Sequence, residues 1–168
     1  MNNFIEEHDP TEALKRVFRR HASGVSVITT NDADGNPVGF TATSMTSLGA
    51  TPPLLSFNVA RGSSSFASLS RCDYVAVHTL GERNVELAKR MAGPSTERFI
   101  ADDWERGPFD VPIFTDTSAV IIGKIREIHN VEANAVVIVD VVESLLGLEQ
   151  RGLIYHERGY ALPGDRLN

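Results

Sequence analysis

Apolar residues recur along this chain with two different periods, and the switches between them divide it into elements. Between Thr11 and Ala22, the residues Ala13, Leu14, Val17, Phe18 and Ala22 fall at helical spacing, with Pro10 and Thr11 marking the start. This predicts a helix with one face against a core. Gly24 to Thr30 and Pro37 to Thr46 read as strands, and the Asp-Gly pair within Asn31-Asp32-Ala33-Asp34-Gly35-Asn36 is a hairpin signal that makes them antiparallel neighbours. Pro52 and Pro53 force an extended turn ahead of a strand from Leu54 to Val59. Phe66 and Leu69 mark a short helical stretch, and Asp73 to Leu80 a further strand. Asn84 to Ala92 reads as a short helix, with Glu86 early and Lys89 and Arg90 late, as the helix dipole favours.

Gly93 to Val111 has little periodicity and reads as a long connection, a kind of segment that often carries function. Ser118 to His129 and Asn134 to Leu146 are two long β-rich runs. Within the second, Ala135 to Val139 is apolar on both faces, which predicts burial on both sides, as in a barrel wall that also meets a partner subunit. A last strand, Gly152 to His156, precedes a polar tail from Pro163. Short strands with frequent turn signals and few helices predict a mainly β fold, a Greek-key barrel, rather than alternating α/β units. A length of 168 residues with 42% hydrophobic content suits a single domain over 1–168, its core about 11–162 between short polar termini.

Charge and composition narrow the possible partners. A net charge of -6 with scattered basic residues argues against nucleic acid, whose phosphates need clustered cations. Cys72 is the only cysteine, so no internal disulfide can form, and a reducing cytoplasm is the expected compartment. The first ten residues lack a basic start and an apolar run, and no stretch has the length of a membrane span. His8, His21, His78, His129 and His156 show no metal-ligand spacing, so no metal site is expected. No glycine spacing matches a dinucleotide fingerprint or a Walker A loop, and no nucleophile-elbow motif occurs.

Hydroxyl chemistry stands out instead. If Thr41 to Ser47 is one extended strand, Thr41, Thr43 and Ser47 share one face while Ser44 and Thr46 share the other. Ser63, Ser64 and Ser65 follow Arg61 and Gly62 and open the short helical stretch. Such a cluster is either a plain helix cap or an anion site built of N–H groups and hydroxyls. The Thr41 to Ser47 run is likewise what a solvent-facing strand looks like.

The order of these pieces resembles the short-chain flavin reductases, NAD(P)H:flavin oxidoreductases that supply reduced flavin to two-component monooxygenases. The resemblance is carried by GVSVITT (Gly24 to Thr30), GFTATS (Gly39 to Ser44), PPLLSFNV (Pro52 to Val59), the serine turn, ERFIADDW (Glu97 to Trp104) and GLIYHERGY (Gly152 to Tyr160). It implies a split β-barrel, a homodimer with flavin sites near the subunit interface, FMN or FAD as the flavin, and a separate oxygenase component. It further implies that Thr41, Ala42, Thr43, Ser44 and Ser47 serve the flavin ring edge. Asn58, Val59, Ala60 and Arg61 would follow the ribityl chain, Ser63, Ser64 and Ser65, with Arg61 or Arg98, would take the phosphate, and Phe99 would be a further flavin contact. Tyr155, His156, Arg158 and Tyr160 are implied on the nicotinamide side, with His156 as the titratable catalytic group.

One position departs from the family. Where many members carry Gly-Asp-His, this chain has Glu132, Ala133 and Asn134. Flavin binding is therefore better supported than nicotinamide binding, and a flavin carrier or another flavin-dependent enzyme in the same barrel stands as the alternative. NADH is expected ahead of NADPH, because no basic cluster suited to a 2′-phosphate is visible in the sequence.

Overall fold

The order of strands is set by which alternating apolar faces find each other. The computed structural model describes residues 3–165 and Leu167; Met1, Asn2, Arg166 and Asn168, part of the expected polar termini, lie outside the described residues. Helix α1 (Pro10–Arg20) precedes β1 (Ser23–Gly24), β2 (Ser26–Asn31), β3 (Pro37–Ala42), β4 (Thr46–Ala50) and β5 (Pro53–Ala60). Then come α2 (Phe66–Leu69), β6 (Tyr74–Thr79), α3 (Val85–Ala92), β7 (Trp104–Arg106) and β8 (Pro112–Phe114). The long pair β9 (Ala119–Val131) and β10 (Asn134–Leu146) leads to the hairpin β11 (Ile154–His156) and β12 (Gly159–Ala161).

Seven strands form one antiparallel sheet in the order β3-β2-β6-β9-β10-β5-β4, flanked by a three-stranded sheet β1-β11-β12 and the pair β7-β8. The β2–β3 hairpin is built by Asp32, whose Oδ1 accepts the N–H groups of Asp34 at 2.9 Å and Asn36 at 2.8 Å, while Gly35 takes the left-handed conformation the turn requires. These bonds, led by the Asn36 side chain, hold the Asp32 carboxyl below its usual pKa.

Strand β2 is buried on both faces. Ile28 joins Phe57, Val59, Val75, Val77, Val137 and Val139 in one core, while Val27 joins Leu80, Ala88, Met91 and Phe114 in a second core beneath α3. Its buried hydroxyls are satisfied, Thr30 Oγ1 donating to the Tyr74 carbonyl at 2.9 Å and Thr29 Oγ1 to that of Pro112. His78 is fully buried between these layers, its Nδ1–H donating to the Val27 carbonyl at 2.9 Å and its Nε2 accepting the Phe114 N–H at 3.0 Å. Burial pushes its pKa down to about 4, so it is a neutral structural bridge.

The structure corrects several expectations. The run Pro37 to Thr46 is not one strand: it breaks at 43–45, and β3 and β4 lie at opposite edges of the seven-stranded sheet. Thr41, Thr43 and Ser47 therefore share no strand face. The sheet is not closed by a β-ladder, since its two edges are joined only through this crossing segment. The apolar face of α1 is not in the core; Leu14, Val17 and Phe18 are 60%, 63% and 62% exposed. On β10, Ala135, Val137 and Val139 are buried while Val136 and Ile138 are only half-buried, so one chain covers one face fully and the other in part. Gly93 to Val111 is not structureless, containing two short 3-10 turns and β7.

Candidate cofactor site

The crossing between the sheet edges places hydroxyls beside β5. Ser44 Oγ accepts the Asn58 N–H at 2.9 Å and donates to the Asn58 carbonyl at 3.3 Å, and the Ser26 hydroxyl reaches Met45 Sδ at 3.6 Å. Thr43, Ser44 and Asn58, with Phe18 and Ser23, line a cavity of about 430 Å³. The Asn58 carboxamide has no partner among the described residues and is exposed with Ala60, while Val59 between them points into the core.

From there β3 leads back along a line of backbone to Gly39, a span of roughly 13 Å at ordinary strand rise. At that end stands Arg98. Its guanidinium donates to the Gly39 carbonyl at 2.7 Å, to the Gly93 carbonyl at 2.9 and 3.0 Å, and to the hydroxyls of Ser65 at 3.3 Å and Ser64 at 3.5 Å. A side chain at position 39 would meet the Ile28 carbonyl at 2.7 Å, so glycine is required for β3 to pack here.

No carboxylate among the described residues pairs with Arg98, and burial, unopposed, pushes its pKa down. In the adjoining serine turn, Ser63 N–H is used by the Ala60 carbonyl, whereas the N–H groups of Ser64 and Ser65 have no acceptor among the described residues. The Ser63 hydroxyl is buried without a partner. Ser65, although at the N-cap of α2, makes no side-chain capping bond. Helix α2 has only 4 residues, so the anion-attracting power comes from Arg98 and the turn amides rather than from a helix dipole. A cavity of about 230 Å³ opens here, lined by Gly39, Ser64, Ser68, Ser95, Arg98 and Phe99.

The residues singled out in the sequence divide into groups. Ser44, Thr43 and Asn58 meet at one end of the groove, and Ser64, Ser65 and Arg98 at the other. Ala42 and Val59 bury their side chains in the core and present only backbone. Thr41 Oγ1 donates to the Ala88 carbonyl at 2.6 Å, so its proton is committed to holding α3. Ser47 lies on the edge strand β4 opposite Leu55. Phe99 stacks on Phe114 with centroids 5.5 Å apart and is part of the second core. Arg61 turns to the β9–β10 hairpin, its N–H bonding the Ala133 carbonyl and its Nη1 the Glu132 carbonyl, each at 2.8 Å, beside Asn134, which pairs with Ala60.

Tyr155, His156 and Arg158 line a different cavity of about 260 Å³, with Lys15, Phe18 and Arg19. Only Phe18 lines both it and the Ser44 cavity. Sequence reasoning missed Lys15, Phe18 and Arg19, because a helix periodicity does not show which side-chain row will border a cleft, and Ser23, which lies on the two-residue strand β1. Lys15 and Arg19, one turn apart on α1, share this cavity with Arg158 from the far end of the sequence.

A mainly antiparallel β fold whose sheet edges are joined by a hydroxyl-bearing crossing, with an arginine that has no carboxylate partner at a serine turn, offers the cation and donors that a phosphate group requires. The chain belongs to the flavin reductase like domain family, whose model matches residues 18–162. It is 36% identical over 159 residues to a probable flavin reductase of Rhizobium meliloti (strain 1021), covering 94% of this chain and 50% of that protein. It is 34% identical to the stachydrine N-demethylase reductase subunit Stc3 of the same organism, covering 92% and 66%. An NADH:FMN oxidoreductase of Rhodococcus qingshengii is 34% identical, with 89% and 80% covered. The chain thus spans half to two thirds of the length of the first two of these relatives. Among solved structures, a flavin reductase domain protein from Arthrobacter sp. FB24 superposes with a TM-score of 0.90 at 46% identity, covering 93% of this chain and 97% of that one.

The residues present fit the group this family implies. A flavin phosphate needs an uncompensated cation and free donors, and Arg98 with the Ser64 and Ser65 amides and the orphaned Ser63 hydroxyl supplies that set.

Proposed function

We propose that this chain reduces FMN or FAD at the expense of NADH, or NADPH, and releases the reduced flavin to a separate oxygenase component. The observation that carries the reading is Arg98, a half-buried cation without a carboxylate, bonded to the hydroxyls of a serine turn that has two unused N–H groups. The NADH:FMN oxidoreductase and the demethylase reductase subunit among the relatives support the reaction and the partner. The chemistry that a flavin supplies when bound is acceptance of a hydride from a reduced nicotinamide. Arg98, Ser64 and Ser65 hold the phosphate, Asn58 to Arg61 border the ribityl path, and Thr43 and Ser44 orient the ring edge. His156, with Tyr155 and Arg158, serves the nicotinamide side.

The fold on this reading is a split barrel of Greek-key type forming one domain, closed by the 43–45 crossing rather than by a ladder. It works as a homodimer in the cytoplasm. The exposed Leu14, Val17 and Phe18, with the exposed Leu146 and Leu148, support a subunit contact, since apolar groups in such numbers favour a partner over water.

Purified protein mixed with either flavin and either nicotinamide should consume nicotinamide absorbance over many turnovers. No consumption with any of the four pairs overturns the reading. A second reading, a flavin-holding protein without nicotinamide oxidation, is favoured by Glu132 to Asn134, whose turn carbonyls are taken up by Arg61. It predicts flavin binding with negligible turnover in the same assay.

A further inference from the structure

The segment from Gly93 to Asp103 carries Arg98 but belongs to no sheet, so something other than a β-ladder must fix where its guanidinium stands. A closed circuit of contacts does so, and it passes through Arg90 in the last turn of α3. The Arg90 carbonyl accepts the Gly93 N–H at 3.0 Å, and the Gly93 carbonyl in turn accepts two bonds from the Arg98 guanidinium. The Arg90 side chain reaches past this start of the segment to its far end, where Nη2 donates to Asp103 Oδ2. Asp103 is itself a fixed post, because its carbonyl accepts the Thr115 N–H at 3.2 Å.

Aromatic packing closes the same unit from the side. The Arg90 guanidinium lies over the Phe114 ring, 5.8 Å from its centroid, and Phe99, next in sequence to Arg98, stacks on that ring at 5.5 Å. Trp104, next in sequence to Asp103, meets Phe99 edge to face, also at 5.5 Å. The head group of Arg90 and the residues that follow Arg98 and Asp103 therefore share one cluster.

The ion pair is poorly built for stability alone. Its side chains are 23% and 41% exposed, yet Arg90 Nε and Asp103 Oδ1, the two atoms that a second parallel bond would join, are buried with no partner among the described residues. Ions drawn partly out of water with such bonds unmade contribute little net stability; what they hold is one arrangement of the chain. Here that arrangement is the path of the segment bearing Arg98.

We infer that Arg90 and Asp103 are positioning residues for the flavin phosphate: their pair latches the Gly93 to Asp103 segment so that Arg98 faces the serine turn. The inference rests on the flavin reductase reading and adds two residues that line neither the Ser64 cavity nor the Ser44 cavity.

The test is titration of the full chain carrying Asp103→Asn, Arg90→Gln or Arg90→Lys, each with FMN and with riboflavin. Asp116→Asn, which removes the exposed Arg83 ion pair, is the control and should match the parent. Asp103→Asn and Arg90→Gln should each weaken FMN binding about fivefold to tenfold and riboflavin binding by less than about twofold, the size of coupling expected between residues of one network. Arg90→Lys, which keeps the charge, should fall between these variants and the parent. Added to Arg98→Gln, the Asp103→Asn change should weaken FMN by less than about twofold more, because a latch has nothing to position once the guanidinium is gone. Full additivity of those two changes overturns the inference, and so does an FMN-to-riboflavin affinity ratio that none of the three variants alters. If Asp103→Asn does not fold, Arg90→Lys carries the same comparison and the same combination with Arg98→Gln. A parent that binds FMN while the ratio holds constant overturns the latch and leaves the flavin reading standing. A parent that binds neither flavin overturns both.

Discussion

The hydroxyl of Ser44 holds both backbone groups of Asn58, accepting its N–H at 2.9 Å and donating to its carbonyl at 3.3 Å. The 43–45 crossing has no ladder of its own, so this one side chain does for the crossing what a strand pair would do, tying the segment that leaves β3 to the far side of the sheet. Ser44→Ala should therefore lower stability by about 1 kcal/mol and weaken flavin binding through loss of the crossing's position. Urea unfolding and flavin titration check this, and an unchanged midpoint would show that the crossing is held by other contacts.

On the proposed reading Arg98 meets the phosphate and not the rest of the flavin. Arg98→Gln should weaken FMN binding by about 1.5 to 3 kcal/mol, the usual contribution of a hydrogen bond to a charged group, and leave riboflavin binding nearly as before. Fluorescence titrations with the two ligands make the comparison. An equal loss for both would mean that Arg98 acts by supporting β3 through Gly39.

Ser63 makes a different prediction from its neighbours. Its hydroxyl is buried and unpaired without ligand, so Ser63→Ala should leave the ligand-free protein as stable or more stable, within about 1 kcal/mol, while FMN binding weakens several-fold. Thermal melts with and without FMN report both. A destabilised ligand-free protein would assign the hydroxyl a structural partner instead.

His78 sets part of the acid sensitivity. Its folded pKa of about 4 lies below the ordinary value of 6.5, so the unfolded chain takes up a proton that the folded one refuses. The stability it leaves intact above pH 6.5 is lost as pH falls toward 4, at about 1.4 kcal/mol per pH unit, and the slope then levels. Urea melts from pH 7.5 down to about 4, compared with His78→Gln, should show the parent's slope exceeding the variant's by about one proton. Parallel slopes would show that other groups govern the acid limb.

Much of the architecture could be read from local pattern. The Asp32 hairpin, the long β9–β10 pair and the serine turn were legible because alternation and turn chemistry act between residues close in sequence, where side chain and backbone choose together. The run Pro37 to Thr46 misled for the same reason: its composition suits an extended chain throughout, and nothing local marks where it must leave one sheet edge for the other. The α1 stripe was read correctly as amphipathic but assigned to the wrong surface, since periodicity shows that a face is apolar without showing what covers it.

Residue identity alone thus established a β-rich chain of the flavin reductase kind rich in hydroxyls. Folding in three dimensions decided which of them come together. Arg98 reaches Gly39 across 59 positions of sequence, and Arg19 shares a cavity with Arg158 only because a hairpin returns to the helix. Cations and donors act through distance in space, and that distance is set by the packing of the strands between them.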